Sequence, residues 1–541
     1  MLTDRDIEKI IDTMDIDDMI GQMMCFHISK RTPEEMEELI KKTKCGSFFV
    51  SNTTKENISL AIELMNKYTK VPGIISADVE KGPGHVIKGE VNLPHEMAWG
   101  SADDADLVER AHIAVAERCR ELGIHWNFSP IVDISYNPNN PASNIRLVSD
   151  VPSQVAKMGV AAVKGLQRNG LMIAGCKHFP GAGLDDRDSH FVTAINYFSR
   201  EKWMETYGMV YKEMFKAGTN SIMIGHEALP AFDEESDKWL GGLPATFSYN
   251  ILTKLLREEL GFEGCVVSDG ICMIGAAATM PYDRLAIEYV KAGGDVILFP
   301  NNEYIDEIKG AVASGEISVE RIKQSVRRII RMKDNARLFE DQKEVEKDIL
   351  HEESLVELAD AIADKSIKLV RNYNDIVPAK LNKGDKILIV NLRHSRDPET
   401  AHYVNDLDDI QPELEKRGYV VSSYVNPSRH EEQYQKDLSE AALVLVNCKI
   451  SSQDYPRNTL KASWEHIDTF WRGDILRHPK VVFTSFGDPY KLYEFTYLKT
   501  YINAFSYSAS TQRAFVKTLL GEIPFQGKNP VSLKGFFEAE V

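Results

Sequence analysis

The chain has 541 residues, 43% of them apolar and 27% charged, an ordinary globular balance that excludes collagen-like, coiled-coil and disordered classes and leaves room for two to four folding units. With 64 Lys and Arg against 81 Asp and Glu the net charge is −17, which repels phosphate backbones and argues against nucleic acid as a partner. No run approaches the roughly 20 apolar residues that span a bilayer.

The first segment, MLTDRDIEKIIDTMDIDDM, is acidic and amphipathic and lacks the basic start and apolar run of a signal peptide. The seven cysteines (Cys25, Cys45, Cys119, Cys176, Cys265, Cys272, Cys448) are odd in number, scattered and without a CxxC pair. That pattern predicts free thiols, several of them buried, in a reducing compartment. A cytoplasmic protein without membrane association is the expectation.

Eight short, nearly continuous apolar runs follow, over 22–28, 45–51, 73–80, 125–134, 173–181, 221–229, 264–273 and 295–300. Such runs suit parallel strands covered on both faces. Helix signals lie between them. Ser101 with Asp104 reads as an N-cap pair before a long segment ending near Gly123. Val155, Met158, Ala162 and Leu166 fall on one helical face. Ser248 is placed to cap a helix with Ile251, Leu252, Leu255 and Leu256 inward and Gly261 beyond its end. Eight strand–helix units predict an N-terminal (β/α)8 TIM-type barrel over 1–335; an open doubly wound sheet has the same count. Residues 336–375, rich in Glu, Asp and Lys with an apolar stripe through Leu355, Leu358 and Ile362, read as a helical connector. Strands over 386–392, 419–425, 442–448, 481–487 and 500–506, with helices over 460–472 and 511–520, predict a smaller open α/β/α sandwich over 376–541.

In a barrel, functional groups gather where strands end, on the C-terminal face. Here strand 3 ends in Asp78-Val79-Glu80, strand 4 in Asp133, strand 5 in Lys177-His178 and strand 6 in His226-Glu227, and strand 7 contains Ser268-Asp269-Gly270. Carboxylates, imidazoles and one lysine fit acid–base or covalent carboxylate catalysis. A metal on His178, His226 and Asp269 is a second use of the set, unsupported by any HxH or HExxH pair. Neutral sugars suit an acidic mouth, because carboxylates accept hydroxyl hydrogen bonds.

Lys177-His178-Phe179-Pro180-Gly181, with Asp188-Ser189-His190 close behind, resembles the signature of glycoside hydrolase family 3, and more narrowly of its two-domain β-N-acetylglucosaminidases. Asp78-Val79-Glu80, the stretch Asn127-Phe128-Ser129-Pro130-Ile131-Val132-Asp133 and the approach Leu243-Pro244-Ala245-Thr246 to Ser268-Asp269 are similar to other elements of that family, as are Ser485-Phe486-Gly487-Asp488-Pro489-Tyr490 and Pro530-Val531-Ser532 in the second domain.

The resemblance implies Asp269 as nucleophile, His190 as acid/base and Asp188 as the carboxylate that orients it, with Asp78, Arg146, Lys177 and His178 binding sugar. Most retaining glycosidases use a carboxylic acid where this one has a histidine, but an imidazole titrates near neutrality and can serve both as acid and as base. Without the resemblance, Asp185, Asp186, Asp188 and His190 read better as a solvated surface loop or a weak metal site, and Asp269 is also suited to a helix cap. His226 and Asp133 fit the mouth as supporting groups. Three departures stand out: Gly181-Ala182-Gly183 where the family has Gly-His-Gly, Lys81-Gly82-Pro83-Gly84-His85-Val86 where it has Gly-Gly-Arg-Val, and Arg146-Leu147-Val148 where it has Arg-Ser-Phe.

The implied activity is a retaining exo-β-N-acetylglucosaminidase acting on chitin- or peptidoglycan-derived saccharides, muropeptides included, with no cofactor and no metal. A phosphorylase of the same sugar, a β-glucosidase and a non-catalytic sugar-binding protein are the alternatives. The sandwich is open to two roles, a cover for the barrel or the interface of a homodimer.

Overall fold

A computed structural model describes residues 1–28, 31–233, 242–394, 406–450, 461–470 and 474–541. Eight parallel strands form one sheet: β1 Met24–His27, β2 Ser47–Phe49, β3 Ile74–Ala77, β4 Trp126–Asn127, β5 Ile173–Phe179, β6 Ser221–Ile224, β7 Cys265–Ser268 and β8 Ile297–Leu298. Their order is β7-β6-β5-β4-β3-β2-β1-β8. The ends meet through a parallel bridge between Val267 and Val296, with Ser268 N–H donating to the Val296 carbonyl at 3.0 Å. The sheet is therefore a barrel, not an open doubly wound layer.

The strands are shorter than their apolar runs. β4 keeps two residues of 125–134 because Pro130 has no N–H for the ladder; beyond it, Val132 N–H reaches the Lys177 carbonyl at 2.8 Å and Ile131 bridges Lys177 singly. The helix signals mostly hold. Val155, Met158, Ala162 and Leu166 are all buried on the helix Pro152–Gln167. Ser248 accepts from Ile251 N–H at 3.2 Å ahead of the helix Asn250–Glu259, whose four apolar residues are buried. That helix is wider than expected, with Leu260 N–H bonding the Leu255 carbonyl five residues back. The 101–104 cap divides differently. Asp104 accepts from Leu107 N–H at 3.0 Å and starts the helix Ala105–Glu121, whereas Ser101 lies inside the preceding helix Glu96–Ala102.

The chain parts into two compact units, one of Met1–Val91, Val108–Ile134 and Val155–Ser354, the other of Asn92–Leu107, Ser135–Gln154 and Leu355–Val541. The second holds a six-stranded sheet of β9 Lys368–Asn372, β10 Lys386–Arg393, β11 Val420–Val425, β12 Leu443–Lys449, β13 Val481–Ser485 and β14 Thr500–Asn503, in the order β11-β10-β12-β13-β14-β9. The five expected strands are present and parallel. The sixth, β9, pairs antiparallel with β14 and lies in the stretch expected to be a helical connector. That stretch does hold helices Gln342–Glu346 and Leu355–Ser366, with Leu358 and Ile362 buried. The expected helix over 460–472 lies partly outside the described residues, which include Trp464–Phe470; the last helix is Ala509–Leu519. All seven cysteines are free, and only Cys272 is exposed. Among the described residues no helix is long and apolar enough to cross a membrane.

The barrel's N-terminal end is closed by the helix Val319–Asn335. Its Lys333 is fully buried and donates to Gln22 Oε1 at 2.7 Å and to the Gly46 carbonyl at 2.9 Å. A Cβ at Gly46 would sit 2.2 Å from Gln22 Oε1, so a side chain there would displace the amide that Lys333 bonds. No carboxylate pairs with this ammonium in the bonds described, so burial lowers its pKa to about 7, against a smaller opposing pull from Cys45, Cys265 and Cys25. An unfolded lysine titrates near 10.4. Between those values the unfolded chain binds more protons than the folded one, so this group makes stability rise with pH. Accordingly, the melting temperature of wild type minus that of Lys333→Met should increase from pH 6 to pH 9; parallel melting curves across that range would refute the assignment.

Candidate active site

The barrel's C-terminal mouth is assembled from the residues just beyond each strand. After β3, Val79 is clamped by Asn127 of β4, whose Oδ1 accepts from Val79 N–H at 2.9 Å and whose Nδ2 donates to the Val79 carbonyl at 3.2 Å. This fixes Asp78 and Glu80 on either side. Lys177 of β5 reaches across to the end of β3. Its Nζ lies 2.6 Å from Asp78 Oδ1 and 2.6 Å from Glu80 Oε1. The lysine and Glu80 side chains are 3% exposed, Asp78 38%. Asp78 thus keeps an open edge toward solvent while its partners are dry.

The neighbouring His178 serves a second carboxylate. Its Nδ1 is 2.7 Å from Asp133 Oδ2, and Asp133 Oδ1 accepts from the backbone N–H of His178 (3.2 Å) and of Ala182 (2.7 Å). The departure Gly181-Ala182-Gly183 is built into this turn. Gly181 has φ +116° and a Cβ there would strike the Tyr207 ring at 2.2 Å; Tyr207 Oη in turn donates to the Ala182 carbonyl at 2.7 Å.

Asp269 directly follows β7 and its backbone N–H is held by the Ile224 carbonyl of β6 at 2.8 Å. It caps no helix; its Oδ1 accepts from Gly270 N–H at 2.7 Å. Burial alone would raise its pKa, but His178, His226 and His190, aided by the Gly270 N–H, outweigh that and hold the carboxyl below its usual range. His226 is fully buried, with Nδ1 2.8 Å from Thr246 Oγ1 and Nε2 3.1 Å from the Gly270 carbonyl. Burial lowers its pKa against the pull of Asp269. Nε2–H donates to the Gly270 carbonyl, and the Thr246 hydroxyl beside Nδ1 itself donates to the Gly225 carbonyl at 2.9 Å.

The loop after β5 brings the remaining pair. His190 Nδ1 is 2.6 Å from Asp188 Oδ1, which also accepts the His190 backbone N–H at 2.9 Å. The imidazole is 40% exposed and its aspartate 7%. The loop rests on the segment behind Asp269. Ile274 N–H donates to the His190 carbonyl at 3.0 Å and Thr193 Oγ1 to the Gly275 carbonyl at 3.0 Å. Gly275 has no room for a Cβ, which would lie 2.3 Å from the Ser189 carbonyl oxygen. Asp185 closes the loop instead of lining it, accepting from Ile195 N–H at 2.7 Å and pairing with Arg187.

Asp78, Lys177, His178, Asp188, His190 and Asp269 are thus placed in one unit around one mouth. Arg146 falls in Ser135–Gln154 of the second unit, at the end of the turn Asn144–Arg146, with Nη1 donating to the Ala142 carbonyl at 3.0 Å. Glu80, Asp133, His226 and Glu227 are buried groups of the mouth that the sequence placed at strand ends without assigning them to the core set. No group of three His, Cys, Asp or Glu side chains among the described residues has the geometry to hold a metal ion.

Residues 15–332 match the Glycosyl hydrolase family 3 N terminal domain. The chain belongs to glycosyl hydrolase family 3. Across almost its full length it is similar to a β-N-acetylglucosaminidase/β-glucosidase of Cellulomonas fimi, 28% identical and covering 95% of this chain and 93% of that one. It is 30% identical to β-hexosaminidase A of Pseudoalteromonas piscicida over 56% of this chain and 55% of the relative. Among solved structures, a family 3 β-N-acetylglucosaminidase from a Paenibacillus species superposes with TM-score 0.82 at 26% identity, covering 98% of this chain and all of the other. A β-glucoside phosphorylase shares the fold, with TM-score 0.87 at 24% identity over 98% and 97% of the two chains.

The Lys177 bridge yields a stability test. Removing the ammonium breaks a buried ion pair, Lys177–Glu80 at 2.6 Å, which should cost about 3–5 kcal/mol. Lys177→Met is expected to lose that much at pH 7 in denaturant unfolding and distinctly less at pH 4.5, where Glu80 can accept a proton. An equal loss at both pH values would show that packing, not charge, is what the lysine supplies.

Proposed function

We propose that this protein is a retaining exo-β-N-acetylglucosaminidase that removes terminal β-linked GlcNAc from chitin- or peptidoglycan-derived saccharides, in the cytoplasm. The observation that carries this reading is the Asp188–His190 pair docked beside Asp269. One carboxylate is fixed at a strand end and charged, and one imidazole sits at the solvent boundary with its inner nitrogen committed to a buried aspartate. Asp269 attacks the anomeric carbon. His190 Nε2–H gives its proton to the departing oxygen, and Asp188 holds the ring so that this nitrogen faces the site. Water then enters, His190 takes its proton, and the glycosyl–Asp269 ester is hydrolysed. Asp78, with its open edge, accepts sugar hydroxyls, and Lys177 and His178 set the carboxylates around the ring.

The named activities of the Cellulomonas fimi and Paenibacillus relatives support the sugar assignment. The first of these names also keeps β-glucosides as a second substrate class for this chain. Release of nitrophenol from p-nitrophenyl β-N-acetylglucosaminide and from the β-glucoside decides between them, the former being expected to turn over faster. Asp269→Ala should abolish release, and His190→Ala should cost ~10²–10⁴-fold on poor leaving groups. Full activity in folded Asp269→Ala would sink the mechanism. A sugar 1-phosphate appearing on addition of inorganic phosphate would make the reaction phosphorolysis. A rise in melting temperature with GlcNAc but no turnover would make the protein a sugar binder.

A further inference from the structure

The six-stranded sheet has two edges, and they are built differently. β9 carries Lys368, paired with Glu540 at 2.7 Å, and Arg371, whose Nη1 donates to the Thr496 and Leu498 carbonyls at 2.9 and 3.1 Å. Charged side chains of this kind keep an edge from pairing with another strand. β11, at the other edge, reads Val-Val-Ser-Ser-Tyr-Val, with no charge, proline, glycine or bulge in its six residues. Val420 and Val425 are 53% and 46% exposed. In a chain of net charge −17 this edge is a neutral stripe.

The backbone bonds show which groups face outward. Val420 N–H donates to the Asp385 carbonyl at 3.1 Å and Asn426 N–H to the Asn391 carbonyl at 3.0 Å, both on the β10 side. Backbone groups alternate sides along a strand, so the even-numbered residues spend theirs on β10, while Val421, Ser423 and Val425 turn theirs away. Among the described residues nothing bonds these three N–H and three C=O groups.

We propose that β11 pairs antiparallel with β11 of a second copy of this chain, across a two-fold axis at Ser423, so that two six-stranded sheets join into one. The register points to this occupant. An antiparallel ladder is saturated only when outward-facing residues stand directly opposite one another. With Ser423 opposite Ser423, Val421 stands opposite Val425 on either side, and all six outward groups of each copy are bonded. An axis between two residues would set outward groups against inward ones. An axis at Ser422 would bring Val425 to Tyr419, whose N–H is already given to the Leu414 carbonyl at 3.3 Å. An axis at Tyr424 would bring Val421 to Pro427, which has no N–H. The side chains agree with Ser423. On one face two Val–Val pairs flank the paired hydroxyls, and on the other Tyr424 stands opposite Ser422, with no like charges opposed. A strand of another protein would have to reproduce this spacing; a second copy has it by symmetry.

A six-residue ladder is short beside the ~1,200 Å² of a standard interface, so a Kd of about 10 μM is expected. Sedimentation velocity of the full chain from about 1 to 100 μM should show monomer passing to dimer by mass action. Ser423→Pro removes only an outward N–H, an orientation in which an edge tolerates proline. It should keep the wild-type melting temperature at dilution while weakening the dimer about tenfold or more. Ser423 is exposed, so Ser423→Lys and Ser423→Glu should fold, and each alone should weaken the dimer by opposing like charges at the axis. Mixing Ser423→Lys with Ser423→Glu should restore it, and this pair keeps the test open should the proline variant fail to fold. A wild type that stays monomeric across that range, a dimer that Ser423→Lys leaves intact, or a mixture that does not reassociate would each overturn the proposal.

Discussion

Lys177 places one ammonium between Asp78 and Glu80, and the mouth depends on that placement. Six carboxyl groups gather there (Asp78, Glu80, Asp133, Asp188, Glu227 and Asp269), and the Lys177 ammonium is bonded to two of them. Burying such charges costs several kcal/mol each unless they are paired and hydrogen-bonded. Asn127 at the end of β4 clamps Val79, and so sets the carboxylates on either side of it where Lys177 of β5 meets them. One asparagine in an otherwise apolar run therefore places charges across three strands.

The remaining carboxyls are sorted by their neighbours. Asp269 and Glu227 stand at adjoining strand ends, yet their proton affinities are driven apart. Asp269 faces three imidazoles and a backbone N–H and is held charged. Burial, and then the charges of Asp133 and Asp269, push Glu227 well above the carboxylate range. Two carboxyls pushed in opposite directions take different roles, and the charged one suits attack on carbon. Asp133 and Asp188 form a third class. Each is dry, and each spends its oxygens on one imidazole and on backbone N–H groups, so each fixes a ring.

Much of this was legible in the sequence. Parallel barrel strands are covered on both faces and announce themselves as apolar runs, and the polar residues ending each run had to lie on one face once the barrel closed. What escaped was set by local context. β9 is a half-buried edge strand behind an acidic helix, and its short run of Leu369 and Val370 carries no period. Asp185 and Asp188 are indistinguishable by type; only the bonds to Ile195 in one case and to His190 in the other separate a loop closure from an orienting carboxylate. His226 and Glu227 are consecutive, and alternation along a strand predicts that one of them points away. Both are buried because the chain has already left β6 at Gly225, where the two-residue period no longer applies.

On the proposed mechanism, in which Asp269 is the nucleophile and His190 the acid/base, the division between strand and loop has a chemical reason. A nucleophile must meet one carbon along one line, so a strand end anchored to the next strand by the Asp269–Ile224 bond serves it. An acid/base must give a proton to one oxygen and later take one from water arriving at the same place, so its ring has to border solvent while its partner carboxylate stays dry. The exposures of His190 and Asp188, 40% and 7%, meet both needs within three residues. The cost of putting the base on a loop is looseness, and the chain limits it by bringing backbone against backbone. Gly275, six residues beyond Asp269, lies so close beneath Ser189 and Val192 that no side chain fits between them. The loop is thereby referenced to the same segment that carries the nucleophile, and the distance between base and nucleophile is set by main-chain contacts that the flexing of side chains cannot lengthen.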